Sequence, residues 1–180
     1  MEKMEKKLDA KTIAQVGITV ALAVVLNLMP VFKMPQGGSV SLDMVPIFFL
    51  AFYRGPMVGI LAGAVFGLVD YTIDPFFVHP AQLILDYPLA FGLVGIAGFV
   101  RGNTPISVAT GVILGGTARF FAHLISGVIF FASYAPKGQN VWLYSAVYNG
   151  SYMLVSTLVA IPIVYALLRA FGKTGRQMSY

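Results

Sequence analysis

Apolar residues along this 180-residue chain fall into six runs, separated by short clusters of glycine, proline and charge. The runs cover about Thr12–Pro30, Val40–Tyr53, Met57–Ile73, Ala81–Val100, Thr104–Ser133 and Val141–Phe171. Arg54-Gly55-Pro56, Asp74-Pro75, His79-Pro80, Arg101-Gly102-Asn103 and Ala135-Pro136-Lys137-Gly138 punctuate them, and Pro35, Gly37 and Gly38 mark the first loop. A helix that crosses a bilayer needs about 20 mostly apolar residues. The pattern therefore predicts an all-α membrane protein with six transmembrane helices in one domain over residues 1–180. Residues 1–11 form a lead-in and residues 172–180 a tail. The second run is the shortest and contains Pro46. It reads as a partial or tilted span; as an interfacial loop it would leave five spans and termini on opposite sides.

Composition agrees with that reading. Hydrophobic residues make up 58% of the chain and charged residues 11%, with a mean hydropathy of +0.81. A soluble domain carries roughly 25% charged residues. The net charge of +5 is not gathered into a patch that would point to nucleic acid. The cations sit at run ends instead. With six spans, Lys3, Lys6, Lys7, Lys11, Arg54, Arg101, Arg169, Lys173 and Arg176 share one side, and Lys33 and Lys137 the other. Positive residues concentrate on the cytoplasmic side, so both termini are expected in the cytoplasm of a prokaryotic cell. No small-residue cleavage site follows the charged start, which argues against a removed signal peptide. The chain has no cysteine, which excludes thiolate metal sites and a cysteine nucleophile.

Polar residues inside membrane helices are costly and therefore mark function by default. The candidates are few: Asp70, Asp86 with Tyr87, Arg119 with His123 one turn later, and Tyr144, Tyr148, Asn149 and Tyr152. Asp70 also reads as a helix-end cap, Arg119 as a structural ion-pair partner, and Tyr134 and Tyr152 as interfacial belt residues. At 1.5 Å per residue, Asp86 lies roughly 8 Å, and His123 roughly 15 Å, below the outer end of its helix. Tyr144 and Asn149 lie roughly 5 to 12 Å down the last helix. All converge on the outer half of the bilayer. A carboxylate, an imidazole, an amide and aromatic rings there suit a small planar heteroaromatic ligand, above all a cation. Tyr144 and Asn149 project about 140° apart on an ideal helix, so both line one cavity only if it is wide. Glycines four apart, Gly59–Gly63–Gly67 and Gly111–Gly115, predict close helix packing. Gly172-Lys173-Thr174 lacks the first glycine of a phosphate loop, since Leu167 stands there. Asn149-Gly150-Ser151 is a glycosylation sequon inside a predicted helix, and His79 and His123 are too far apart to form a metal motif.

Three stretches carry a resemblance. Leu85-Asp86-Tyr87-Pro88-Leu89-Ala90-Phe91, Arg119-Phe120-Phe121-Ala122-His123-Leu124-Ile125-Ser126-Gly127, and Tyr134 to Asn140 followed by Tyr144 to Asn149 resemble motifs of thiamine-specific S-components of energy-coupling factor transporters. The similarity runs from about Val40 to Tyr165. It implies a high-affinity vitamin-binding subunit that hydrolyses no ATP itself and needs no cofactor or metal. Its implied partners are thiamine or a related vitamin, a membrane scaffold subunit, two ATPases and the lipid bilayer. The binding residues carry over to Asp86, Tyr87, His123, Phe131, Tyr144 and Asn149. The family carboxylate is usually Glu, and Trp is usual where Phe131 stands. The only tryptophan here is Trp142. The resemblance also implies a scaffold contact on an alanine-rich face of the first helix, matched here by Ala14, Gly17 and Ala21; ordinary internal packing is the other reading.

Rival functions remain defined at this point. The same class specific for hydroxymethylpyrimidine or another vitamin is one. An intramembrane enzyme using Asp86 and His123 as an acid–base pair is a second, and a secondary transporter acting alone a third. No inverted repeat or paired broken helices support the last.

Overall fold

A computed structural model describes residues 9–35 and 38–172. Lys3, Lys6, Lys7, Gly37, Lys173 and Arg176 lie outside the described residues, as do most of the lead-in and nearly all of the tail. Among the described residues six helices occur, in the order the runs predict. They are α1 (Ala10–Asn27), α2 (Met44–Arg54), α3 (Pro56–Ile73), α4 (Pro80–Phe99), α5 (Pro105–Phe130) and α6 (Val141–Gly172). All except α2 are long and apolar enough to cross a membrane. Their outward faces carry exposed Ile13, Ile18, Leu22, Ile106, Leu154 and Leu158, the surface that lipid covers.

The second run departs from a simple span. Its first residue, Val40, belongs to a short antiparallel hairpin formed with the preceding loop, β1 (Phe32–Lys33) with β2 (Ser39–Val40), in the register Phe32↔Val40 and Lys33↔Ser39. Helix begins only at Met44, where the Asp43 carboxylate accepts the Met44 N–H at 2.8 Å. Pro46 falls in the first turn, where its missing N–H has no intrahelical partner to lose. The resulting 11-residue α2 is about 16 Å long, half the thickness of a hydrocarbon core of about 30 Å. It is almost wholly buried: Val45, Ile47, Phe48, Leu50 and Ala51 are at most 4% exposed. It packs on α1, α3, α6 and the end of α4 and forms the core's centre. At its other end Gly55, at φ +92°, turns the chain sharply into Pro56 and α3. Asp9 caps α1, accepting from the Thr12 hydroxyl at 2.6 Å and the Thr12 N–H at 2.8 Å, and these bonds hold its carboxyl below the usual carboxylate range. Arg54 donates to the Thr12 hydroxyl at 2.7 Å, which fixes the start of α1 beside the end of α2.

α4 is not the uniform helix that the run predicts. Its α-helical start, Pro80–Ile84, passes into a π turn at Leu85–Leu89, then a short α segment, Ala90–Val94, and a final 3-10 segment, Gly95–Phe99. Pro88 lies inside the π turn. Proline lacks the N–H that would bond back to Ile84 and its ring crowds that carbonyl, so the helix widens there. α3 lies close against this irregular helix. A Cβ on Gly63 would overlap the Phe91 carbonyl oxygen, and one on Gly67 the Tyr87 carbonyl. The glycine spacing thus serves packing. Helices in lipid gain little from burying apolar surface against each other, so backbone approach of this kind supplies much of their association. Gly63→Ala is expected to destabilise the fold by roughly 1–3 kcal/mol through overpacking, read as a lower melting midpoint and a smaller monodisperse fraction in detergent.

Candidate functional site

Because α2 starts late, the space above its N-terminus is not filled by a helix. A cavity of about 620 Å³ occupies it, walled by α3, α4, α5 and α6 and bordered by the β1–β2 hairpin. Ligand pockets typically measure about 300–1,000 Å³. Every site residue expected from the sequence lines this cavity: Asp86, Tyr87, His123, Phe131, Tyr144 and Asn149. α6 is a regular helix from Val141 onward, so Tyr144 and Asn149 share the cavity because it is wide.

The Asp86 carboxylate is the best-connected group in the wall. Its Oδ1 accepts from His123 Nδ1 at 3.0 Å, and its Oδ2 from Gln82 Nε2 at 2.9 Å and Ser126 Oγ at 2.8 Å. Three donors from α4 and α5 satisfy most of the four lone-pair directions a carboxylate offers. His123 Nε2 faces Arg119 Nε, which donates to it at 3.4 Å. The ring proton therefore sits on Nδ1 and points at Asp86. Arg119 also lies 3.9 Å above the Phe91 ring centroid and 3.9 Å from Asp43 Oδ2. A polar chain thus runs Asp43–Arg119–His123–Asp86 across the cavity floor. The structural reading of Arg119 and its function as a wall residue coincide.

The remaining expected residues differ in what they leave available. The Tyr87 hydroxyl accepts from Phe76 N at 2.9 Å and donates to Asp74 O at 3.0 Å, so it ties down the α3–α4 loop. Asn149 is buried, and its amide donates to Ser145 O at 3.0 Å and to Ser145 Oγ at 3.2 Å. Its Oδ1 accepts the Tyr152 hydroxyl at 2.9 Å and retains one further acceptor direction. Tyr152 is therefore a buried wall residue, 5% exposed, and not part of an interfacial belt. Phe131 stacks on Tyr134 with centroids 5.8 Å apart and meets Phe76 at 5.7 Å, forming an aromatic rim, while Tyr144 and Tyr148 stack at 6.0 Å on α6. Trp142 is 57% exposed and is not among the lining residues.

Sequence reasoning missed several wall residues. Asp43 and Ser39 enter through the late start of α2 and Gln82 through its bond to Asp86, while Ser126, fully buried, supports Asp86 from behind the lining. Asp43 carried a readable signal, an Asp directly before an apolar helix; Gln82 and Ser126 carried none. Asp70 does not cap its helix: its carboxylate accepts from Asn27 on α1 and lines the cavity. The lining holds four carboxylates, Asp43, Asp70, Asp74 and Asp86, against two cations, Lys33 and Arg119, a formal excess of two negative charges. At the mouth, Lys33 of β1 pairs with Asp74 at 3.2 Å, and Gly38 lies against the Tyr152 ring. On the opposite, lipid-facing side of α1, Ala14, Gly17 and Ala21 are exposed, and a Cβ on Gly17 would meet nothing within 4 Å.

These features define a class: a multi-pass membrane protein of six helices with one polar, aromatic-rimmed small-molecule cavity. The sequence profile of the family described as thiamine transporter protein (Thia_YuaJ) matches residues 13–175, and the chain belongs to that family. It is 41% identical to the thiamine transporter ThiT of Bacillus subtilis over 169 residues, spanning 86% of this chain and 88% of that protein. It is 34% identical to ThiT of Lacticaseibacillus paracasei over 181 residues, spanning 92% and 90% respectively. The solved structure of ThiT from Listeria monocytogenes superposes with a TM-score of 0.81 at 31% identity, covering 90% of this chain and 95% of that one. An S component of a bacterial ECF transporter shares the fold, with a TM-score of 0.64 at 18% identity, covering 94% and 100%.

The Asp43–Arg119 pair is 3% and 11% exposed, so removing one partner leaves a buried charge. Arg119→Met is expected to cost about 3–5 kcal/mol of stability. Adding Asp43→Asn should recover much of that, measured by thermal unfolding in detergent.

Proposed function

We propose that this chain is the thiamine-binding membrane subunit of an energy-coupling factor uptake transporter, with the ligand held in the cavity above α2. The observation that carries the reading is the Asp86 carboxylate, fixed by three donors in a cavity with a formal excess of two negative charges. Thiamine bears a permanently charged thiazolium. A carboxylate in a partly dry site attracts such a charge far more strongly than the same group in water. The aromatic pairs in the lining, Phe131 with Phe76 and Tyr144 with Tyr148, suit a cationic heteroaromatic ring. Asn149 Oδ1 and the fourth lone pair of Asp86 are acceptors, which match the donors of an aminopyrimidine. In this reading Asp86, His123, Phe131, Tyr144 and Asn149 contact the ligand, and Tyr87 holds the rim loop. ATP hydrolysis belongs to separate ATPase partners, joined through a membrane scaffold that docks on the small-residue face Ala14, Gly17 and Ala21 of α1.

Titration calorimetry of the purified protein tests the ligand, since Trp142 lies outside the cavity and reports poorly on it. Thiamine is expected to bind at submicromolar concentration, and Asp86→Asn to weaken it by about 100-fold or more. Tight binding unchanged by the substitution would relocate the site. No binding by folded protein, with uptake of hydroxymethylpyrimidine or another vitamin in its place, would change the ligand and keep the class.

The same reading sets both termini in the cytoplasm. The chain has no cysteine, so single cysteines report topology cleanly. In intact cells, Lys137→Cys is expected to react with a membrane-impermeant thiol reagent and Arg101→Cys only after permeabilisation; the reverse pattern would invert the topology.

A further inference from the structure

Gln82 is a polar side chain with almost no contact with solvent, 1% exposed, in the first turn of a membrane helix. Burying an amide in this way is costly unless its hydrogen bonds are made. Here three are made, to two different places. Nε2 donates to the Phe76 carbonyl at 3.1 Å and to Asp86 Oδ2 at 2.9 Å, while Oε1 accepts the Val78 N–H at 3.1 Å. The orientation of the amide is not ambiguous. A carbonyl and a carboxylate only accept and a backbone N–H only donates, so the flipped amide would oppose all three.

One end of this bridge is the carboxylate of the cavity. The other is the Phe76–Val78 stretch of the α3–α4 loop, whose Phe76 ring lines the cavity and meets Phe131. Gln82 and Asp86 are four apart, so their side chains share one face of α4. The π turn starts between them, at Leu85, and makes the register there irregular. Rotation about the Asp86 side chain is opposed by Ser126 and His123 from α5, but among the described residues Gln82 alone ties it to the rim loop.

We propose that Gln82 is a positioning residue for ligand capture: it aims the Asp86 carboxylate into the cavity and sets its spacing from the Phe76 side of the aromatic rim. Gln82 touches the carboxylate rather than the ligand and acts through it. The proposal rests on the thiamine-binding reading above.

A double-mutant cycle separates the two. Calorimetric titration of the wild-type protein with thiamine tests the binding reading alone. Gln82→Met keeps length and apolar packing and removes all three bonds. It is expected to weaken thiamine binding by roughly 10- to 100-fold, the size of one lost hydrogen bond to a charged group. In an Asp86→Asn background the same change is expected to have at most about a twofold effect, because non-additivity marks residues that act as one unit. Gln82→Glu, isosteric with the native side chain, puts an acceptor where Nε2 donates. It should lose at least as much affinity and show the same coupling, and it serves if the Met variant does not fold. Amide exchange of the ligand-free variants adds a readout that needs no thiamine: the Val78 N–H is expected to lose protection in Gln82→Met while α5 and α6 keep theirs. Wild-type affinity in either variant, or a loss that persists in full beside Asp86→Asn, would overturn the proposal and leave Gln82 as loop packing only.

Discussion

An apolar helix of 11 residues cannot by itself cover the thickness of a bilayer, and α2 completes its passage through the bundle only together with the extended segment before it; the rest of this structure follows from where α2 stops short. Five longer helices surround it. Had α2 continued outward, its side chains would fill the bundle axis. The chain before Asp43 instead forms an extended hairpin that borders the cavity. The space released is the cavity, and its floor is the N-terminus of α2. The partial positive charge at that end and the Asp43 cap belong to the same construction. A backbone that is neither helix nor closed barrel is tolerated at membrane depth only where protein or a water-filled cavity surrounds it. The hairpin satisfies that condition by bordering the cavity.

A cavity in a membrane protein needs polar walls that are themselves satisfied, because an orphaned polar group in a low dielectric is costly. Two devices meet this need. The first is the π turn of α4, which Pro88 causes and which carries Asp86 and Tyr87. The second is the use of nearby side chains as partners: Ser126 and His123 on the neighbouring α5 serve Asp86, and Ser145 and Tyr152 on the same helix serve Asn149. The resemblance read from the sequence implies Glu where Asp86 stands. The shorter side chain sits within reach of Gln82 on its own helix and Ser126 on the next, so it is held near the wall. The cavity's width then leaves room for a ligand to approach the carboxylate.

The outer surface divides in the same economical way. Most exposed positions on the spans are large and apolar, as lipid contact requires. The exception along α1 is the row Ala14, Gly17 and Ala21, flanked by exposed Ile13, Ile18 and Leu22. A small-residue groove between large ridges favours another helix over acyl chains, since close backbone approach is what small residues permit. This face belongs to a helix whose inner side packs on α2 and α3, so a partner seated there would press on the elements that frame the cavity.

How much of this was legible depended on whether a feature repeats along the chain. Hydrophobic runs report helices because about 20 residues vote together, and the loops declared themselves through Gly55-Pro56, Pro75 and Pro136-Lys137-Gly138. Intramembrane charge was readable residue by residue, because cost alone singles out Asp86 and Arg119. Gln82, Ser126 and Ser39 were not readable by that rule. A neutral polar residue near a helix end is common, and its importance arises only when folding brings it to a carboxylate 4 or 40 positions away along the chain, as for Gln82 and Ser126, or to the edge of a cavity, as for Ser39. The start of α2 was misplaced for a related reason. Val40 to Leu42 is apolar enough to extend a helical run, but hydrogen bonds to β1 and the Asp43 cap decide otherwise. Local propensity is a weak prior there, and the competing partner lies in the preceding loop. The width of α4 at Pro88 had a signal that was not followed to its consequence. A proline in mid-span forfeits the bond to Ile84, so either a kink or a wider turn had to appear beside the very residue that intramembrane cost had already marked.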